Sequence, residues 1–482
     1  MQKGTHIKVK IDKVGFQGIG IGVLDQKLNP DVDIPEDEFG KKVLIQNTLP
    51  GEVVRAQVFR NKKKFTDAEK IETIEVSPMS VTPRCKHFEI CGGCKWQNLS
   101  YEEQLKIKQT HVIETLTHLG GFDEEMINKL MQPILPCENQ WQYRNKVELS
   151  FGWDANMEPS FGFHAENRRY DIFNIKECHL MSDRMFEVAL AIKNFAEQNK
   201  LTAYKFREGI GLLRSATIRE AKNTGEILVN LEMSNEEFSD NLRKEFVESL
   251  ANFNIDSIFI TQVITARGHR TERNEVLLHG KPTIMERMNI NNQVYTFHIS
   301  PSSFFQTNTG QAERLYHMAL QNLNLQGTDT VLDLFCGTGT IGIIAAKFVN
   351  NVIGIELNPD AVVDAEKNAE LNQEPNIEFI AGDVGEILKD FEKEGRINSL
   401  QNKKIIVDPP RSGLMPKMIE YILKLRPTHI NYVSCNPTTQ ARDIKELCEN
   451  GYQITLIQPV DMFPHTYHIE NVMGLTYSHI SG

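Results

Sequence analysis

The sequence predicts a multi-domain α/β protein: a small N-terminal β-barrel, a central mixed α+β domain and a C-terminal parallel α/β domain. Three observations carry this. Residues 1 to 76 read as short alternating strands punctuated by glycines. Residues 77 to 295 join a Pro/Cys/Gly-rich loop to a mixture of strand and helix patterns. From about 296 strand patterns alternate with helical ones, the signature of a parallel sheet.

Within residues 1–76, Ile7-Lys8-Val9-Lys10-Ile11 alternates, and Gly15, Gly18, Gly20 and Gly22 mark a turn-rich stretch. Val43–Ile45, Val53–Val58 and Thr66–Val76 follow as strands. Such a barrel is of the kind that binds nucleic acid on one face. Residues 100–119 carry helical spacing, with Leu105, Ile107, His111, Val112 and Leu116 as the apolar stripe. This helix is grouped with the central domain and is available to pack on the catalytic one. Residues 142 to about 290 read as an antiparallel sheet with helices: Val147–Phe151, Leu213–Glu220 and Glu226–Met233 as strands, Ser182–Gln198 as a helix.

The chain has 482 residues, 40% of them hydrophobic and 24% charged, enough for several ordinary globular domains. No apolar run reaches the ~18–20 residues of a membrane span, and the N-terminus lacks a signal-peptide core. A cytoplasmic location is expected. A net charge of −11 excludes a uniform polyanion-binding coat, so any nucleic-acid site must be local. Candidate basic clusters are Arg55, Arg60 and Lys62–Lys64; Arg168-Arg169; and Arg267, His269, Arg270 and Arg273.

Thr330-Val331-Leu332-Asp333-Leu334-Phe335-Cys336-Gly337-Thr338-Gly339 is a strand running into a glycine turn, where the backbone can approach a ligand closely. The next strand ends at Glu356, an acid suited to ribose hydroxyls. The third runs into Gly382-Asp383, a carboxylate that suits an adenine amino group. Strand, acid, Gly-x-Gly, Glu and Gly-Asp in this order resemble the class I S-adenosylmethionine-dependent methyltransferase fold. Two further loops follow apolar strands: Asp408-Pro409-Pro410-Arg411 and Ser434-Cys435-Asn436-Pro437. Ligands of open α/β sheets sit at such strand ends, so the Cys435 thiol is placed to attack.

Cys85, Cys91 and Cys94 form C-x5-C-x2-C, with Cys178 as a fourth candidate. Clustered thiols in a cytosolic chain point to metal rather than disulfides. By residue type, zinc and a [4Fe–4S] cluster are equally served.

Together these features resemble the RNA uracil-5-methyltransferase family, the TrmA-like enzymes, in its 23S ribosomal RNA branch. The resemblance extends over Tyr143-Arg144-Asn145-Lys146, Ser300–Asn308, and Asp461–Thr466 with Glu470. It implies that the barrel is an OB-like TRAM domain over 1–76, followed by a central domain with an iron–sulfur loop over 77–295 and a catalytic domain over 296–482. It implies Cys435 as the nucleophile and Glu470 as the base. Gln306, Phe335, Glu356, Asp383 and Asp408 would hold S-adenosyl-L-methionine. Cys85, Cys91, Cys94 and Cys178 would ligate a [4Fe–4S] cluster, zinc being the lesser alternative. The implied partner is 23S ribosomal RNA, in a single-stranded or loop region with the target uridine flipped out. Transfer RNA, or a noncatalytic ribosome-assembly role, is the alternative. A monomer without membrane association is expected.

Overall fold

The computed structural model describes residues 1–168, 170–265 and 271–478. Arg169, Arg267, His269 and Arg270 of the basic clusters lie outside the described residues. The chain divides into two units: 1–112 with 463–469, and 113–462 with 470–482.

In the first unit, β1 (His6–Val14), β2 (Gly20–Val23), β3 (Lys42–Ile45), β4 (Val53–Asn61) and β5 (Phe65–Glu75) close into a barrel in the order β1-β2-β3-β5-β4. Val9, Ile11, Val43, Ile45, Val54 and Val58 are fully buried in it, as their alternation requires. The glycine-rich stretch read as turns contains a strand. Gly20 and Gly22 lie in β2, and a Cβ on Gly22 would stand 2.2 Å from the Lys10 carbonyl oxygen. Glycine there lets β1 and β2 pair closely. Two cations of the first basic cluster are paired on the barrel itself, Arg55 with Glu72 at 2.8 Å and Arg60 with Asp67 at 2.6 Å.

Helix α1 (Tyr101–Thr115) begins in this unit. Its buried face keeps His111, Val112 and Leu116 of the expected stripe but adds two polar residues in place of Leu105 and Ile107. Gln104 and Lys108 are fully buried, while Leu105 and Ile107 are half-buried. The reason is polar: Gln104 donates to the carbonyls of Trp96 and Leu99 at 2.9 Å and accepts from the His465 amide at 2.8 Å. Lys108 donates to the Phe463 carbonyl at 3.1 Å. A strongly hydrogen-bonded polar group can occupy a core position that periodicity assigns to an apolar one.

In the second unit, α2 (Glu124–Leu130) precedes β6 (Lys146–Trp153), β7 (Pro159–His164), β8 (Ile172–Asn174), α3 (Asp183–Gln198), β9 (Leu213–Glu220), β10 (Ile227–Met233), α4 (Asp240–Ser249), β11 (Ser257–Ile264) and β12 (Glu272–Gly280). Among the described residues these strands form one sheet, ordered β12-β11-β10-β9-β6-β7-β8. It is antiparallel as expected, except that β10 and β11 are parallel, joined by the crossover through α4. A hairpin, β13 (Ile284–Ile290) and β14 (Gln293–Ile299), leads onward.

The remainder alternates: α5 (Thr309–Gln321), β15 (Thr330–Leu334), α6 (Thr340–Ala346), β16 (Asn351–Glu356), α7 (Pro359–Leu371), β17 (Ile377–Ala381), α8 (Val384–Lys393), α9 (Arg396–Ser399), β18 (Lys403–Val407), α10 (Pro416–Leu425), β19 (His429–Ser434), α11 (Pro437–Glu449), β20 (Tyr452–Val460) and β21 (Glu470–Tyr477). The sheet order is β17-β16-β15-β18-β19-β21-β20. β17 through β19 are parallel, and β21 enters antiparallel between β19 and β20. Chain order reverses between β15 and β18, which opens a crevice at their C-terminal ends. Among the described residues no helix is long and apolar enough to cross a membrane.

One buried cation ties the central sheet to the loop entering the catalytic part. Arg219 of β9, 4% exposed, donates to the carbonyls of Pro301 and Ser303. Burial pulls its guanidinium down to about 10. Arg219→Ala would strand two buried carbonyls and leave a cavity. The expected loss is about 2–4 kcal/mol, read as a lower denaturation midpoint of the full chain.

Candidate active site

The expected catalytic and cofactor residues all fall in the second unit. Phe335 follows β15, Glu356 ends β16, Asp383 follows β17, Asp408 follows β18 and Cys435 follows β19. All stand at C-terminal strand ends beside the crevice. Glu470 opens β21.

Cys435 and Glu470 are brought together by register. Ser434 pairs with Asn471 across the antiparallel β19–β21 ladder, so the next step sets Cys435 beside Glu470. The ladder is held from one side by Gln440 of α11, whose side chain donates to the carbonyls of Tyr432 and Asn471 at 2.9 and 3.0 Å and accepts from Asn471 at 2.8 Å. The loop after Cys435 is built as a helix start. Asn436 caps α11 by accepting from the Thr438 amide at 3.1 Å, and Pro437 occupies the first turn, where its missing N–H costs nothing.

The Asp408–Arg411 loop is clamped to the same helix. Asn436 donates to the Arg411 carbonyl at 2.8 Å. Asp443, fully buried, accepts from the Leu414 amide at 2.7 Å, from the Tyr432 hydroxyl at 2.7 Å and from Arg442 Nε at 2.8 Å. The loop thus delivers the Arg411 side chain to the Cys435 sulfur, to which it is hydrogen-bonded.

The electrostatics follow from burial. The Cys435 thiol is pushed up to about 11 by burial and by the Glu470 charge, while Arg411 opposes the rise. The Glu470 carboxyl lies well above the carboxylate range, through burial and then the Asp408 charge. Asp408 is pushed up to about 7 by burial. Several titratable groups with displaced proton affinities thus gather in one crevice, the pattern of a candidate functional site.

The glycine turn is strained where a ligand would lie. Phe335, not a glycine, adopts φ +65°, and Gly337 and Gly339 adopt φ +55° and +79°. A Cβ on Gly339 would stand 2.7 Å from the Phe379 ring, whereas at Gly337 the space is open. Glu356 accepts from the amides of Gly337 at 3.1 Å and Asn358 at 2.9 Å, which fixes its carboxylate beside the turn. Asp333, buried and pushed up to about 7, accepts from the Gly342 amide at 2.8 Å and pins the turn to α6. Asp383 caps α8 and is partly exposed. An open backbone cradle flanked by two carboxylates fits a nucleoside carrying ribose hydroxyls and an exocyclic amine.

Gln306 is buried, in the loop before α5. Its position depends on Asn145 of the Tyr143–Lys146 phrase, whose side-chain amide donates to the Gln306 carbonyl at 2.8 Å and to Thr309 Oγ1 at 2.9 Å.

The cysteines behave differently. Cys85, Cys91 and Cys94 are half-buried in the loop of the first unit, and Cys178 is half-buried in the second. None is in a disulfide. Backbone amides of His87 and Gly93 donate to Cys85 Sγ and Cys91 Sγ at 3.4 Å. The donor chemistry suits a thiophilic group, but among the described residues no group of three or more His, Cys, Asp or Glu is arranged to hold a metal ion.

Sequence reasoning misses Arg411, Asn145 and Asp443. Arg411 and Asn145 stand within recognisable motifs, but nothing local gives either a role; Asp443 lies mid-helix and carries no local signal.

Known proteins match this chain over nearly its whole length. The family model described as tRNA (Uracil-5-)-methyltransferase matches residues 101–478, and the TRAM domain model matches residues 1–71. A Clostridium tetani protein named an uncharacterized RNA methyltransferase is 35% identical, with 98% of each chain covered. A Caldanaerobacter subterraneus protein of the same description is 36% identical over 98% of this chain and 99% of its own. The crystal structure of Pyrococcus abyssi tRNA (uracil-54, C5)-methyltransferase, in complex with S-adenosyl-L-homocysteine, superposes with a TM-score of 0.72 at 28% identity, covering 98% of this chain and 99% of that one. The C-terminal sheet is therefore an S-adenosylmethionine-dependent methyltransferase fold, the barrel is a TRAM domain, and the chain belongs to the tRNA (uracil-5-)-methyltransferase family.

Proposed function

We propose that this protein methylates carbon 5 of a uridine in 23S ribosomal RNA, through a transient bond between Cys435 and carbon 6 of the base. The observation that carries the reading is the ladder step that sets Cys435 beside Glu470, with Arg411 on the sulfur.

Carbon 5 of uracil is a poor nucleophile. Once the Cys435 thiol has released its proton to solvent, addition of the thiolate to carbon 6 moves electron density onto carbon 5, which splits one hard step into easier ones. Arg411 favours the charged sulfur. Bound S-adenosyl-L-methionine supplies an electrophilic methyl group. Glu470, as a carboxylate, then takes the proton from carbon 5 as the Cys435–carbon 6 bond breaks, work that a positioned carboxylate can do. Gln306 offers a donor and an acceptor, as a uracil edge requires. Glu356 would meet the ribose hydroxyls of the cofactor and Asp383 its adenine amine, with Phe335 and Asp408 completing the site. The target base must leave its stack to reach Cys435.

The reading divides the chain into a barrel over 1–76, a central domain over 77–295 and a catalytic domain over 296–482, acting as a cytoplasmic monomer. It keeps Cys85, Cys91, Cys94 and Cys178 as ligands of a structural [4Fe–4S] cluster, supported by four thiols and by amides donating to two of them. Ribosomal RNA is favoured by that thiol set. A second reading, transfer RNA, is favoured by the Pyrococcus abyssi protein, whose match extends over the barrel as well and so removes the barrel as a discriminator.

Three outcomes are expected. A strain lacking the gene should lose 5-methyluridine from large-subunit ribosomal RNA; loss from transfer RNA instead decides for the second reading. RNA containing 5-fluorouridine should form a covalent complex with the protein, faster as pH rises from 6 to 9 because the thiol ionises near 11. Cys435→Ala should form none, and Glu470→Gln should accumulate adduct on ordinary RNA; normal turnover by Glu470→Gln would remove it as the base. Protein purified without oxygen should contain about four iron and four sulfide per chain, and absence of both would remove the cluster.

A further inference from the structure

A cation–aromatic cluster in the second unit has no part in the site above. It surrounds the turn that feeds β9. Lys205 and Ile210 pair across this turn, and Gly209 and Gly211 adopt φ +72° and +100°. A Cβ on Gly211 would stand 2.1 Å from the Ala203 carbonyl oxygen, so the tight return demands glycine. The turn holds Phe206 66% exposed, and Tyr170 is 55% exposed.

Cations are interleaved with these rings. Arg207 lies 4.9 Å from the Tyr170 centroid and Lys205 5.4 Å from that of Trp153. Arg214 stands 4.0 Å from Tyr204 and 5.3 Å from Phe206.

Arg214 is there because the strand is broken for it. Met233 pairs with Leu213 and Glu232 with Ser215, which leaves Arg214 as an extra residue in a β-bulge. By strict alternation from the core residues Ala216 and Ile218, position 214 would face the core. The bulge gives that place to Leu213 and re-aims Arg214 at the rings. Its Nη2 donates to Thr265 Oγ1 at 3.4 Å, while its buried Nε has no acceptor among the described residues. The local charge runs against the chain, which carries −11 overall. Three cations gather here against two carboxylates, Glu208 beside Lys205 at 3.5 Å and Glu236 accepting from the Gly211 amide at 2.8 Å.

We propose that this turn is a stacking platform for a single-stranded stretch of the RNA substrate flanking the target uridine. The proposal rests on the RNA reading above. Bases stack on Phe206, Tyr170 and the Arg214 plane, and Lys205 and Arg207 face the phosphates; rings interleaved with cations recognise unpaired RNA in this way. Strand β9 links the platform to the site. From Arg214 to Arg219 it runs roughly 17 Å, and Arg219 grips the Pro301–Ser303 stretch that leads to Gln306.

The test uses the full-length protein and a fluorescein-labelled single-stranded RNA of twelve nucleotides. Phe206→Ala and Arg214→Ala should each weaken binding by about 5- to 150-fold, and Arg207→Ala should reduce the slope of log affinity against log salt by about one. Ultraviolet crosslinking of the unmutated protein should place RNA on the peptides holding Tyr170 and Phe206, a readout that no folding defect can imitate. Failure of the unmutated protein to bind any RNA overturns the RNA reading. Tight binding with unchanged affinity in the variants, or with crosslinks elsewhere, overturns the platform alone, as it would if the turn docked a protein.

Discussion

The antiparallel register of β19 against β21 is the constraint on which the site depends. It pairs Ser434 with Asn471 and so sets the thiol of one strand's end beside the carboxyl of another's beginning. A slip of one residue would turn Glu470 to the opposite face of the sheet. Such a slip is opposed at three points: Gln440 bonds both strands, Asn471 bonds back to Gln440, and β20 pairs Val460 with Glu470 from the other side. Cys435 and Glu470 lie on different strands, yet their relation rests on ordinary backbone hydrogen bonds rather than on a flexible loop.

Around this step, rigidity and low polarity act together. Asp443 gathers three donors and locks the Asp408–Arg411 loop onto α11. Asn145 and Arg219 hold the Gln306 loop from the central sheet. Helices α5, α7, α8 and α11 each begin with an Asn or Asp side chain capping the first turn, so the strand-to-helix loops end at defined positions. The crevice they line holds Asp333, Asp408 and Glu470 with proton affinities raised chiefly by burial. A site that excludes water strengthens every remaining charge interaction, that between Arg411 and the sulfur included.

Much of this could be read in the sequence, for physical reasons. The parallel domain announces itself because its buried strands are apolar runs, and its loops because glycine, Asn-Pro and Pro-Pro restrict the backbone. Strand ends carrying Phe335, Glu356, Asp408 and Cys435 follow directly. What could not be read depends on contacts between distant segments. Periodicity assigns an apolar face to α1, yet Gln104 and Lys108 are buried as fully as Val112 because their partners, His465 and Phe463, come from the far end of the chain. The bulge at Arg214 depends on how β10 pairs with β9, and the parallel β10–β11 pair on the route taken by α4. The spacing of the cysteines marks a cluster of three thiols in one loop, but spacing alone does not fix where four sulfurs come to rest.

The raised thiol of Cys435 has a consequence for the lifetime of the protein. Peroxides and soft electrophiles attack thiolates, not thiols. With its ionisation pushed up by burial, Cys435 rests as the thiol at neutral pH. A thiol sheltered in this way is chemically quiet at rest and slow to oxidise.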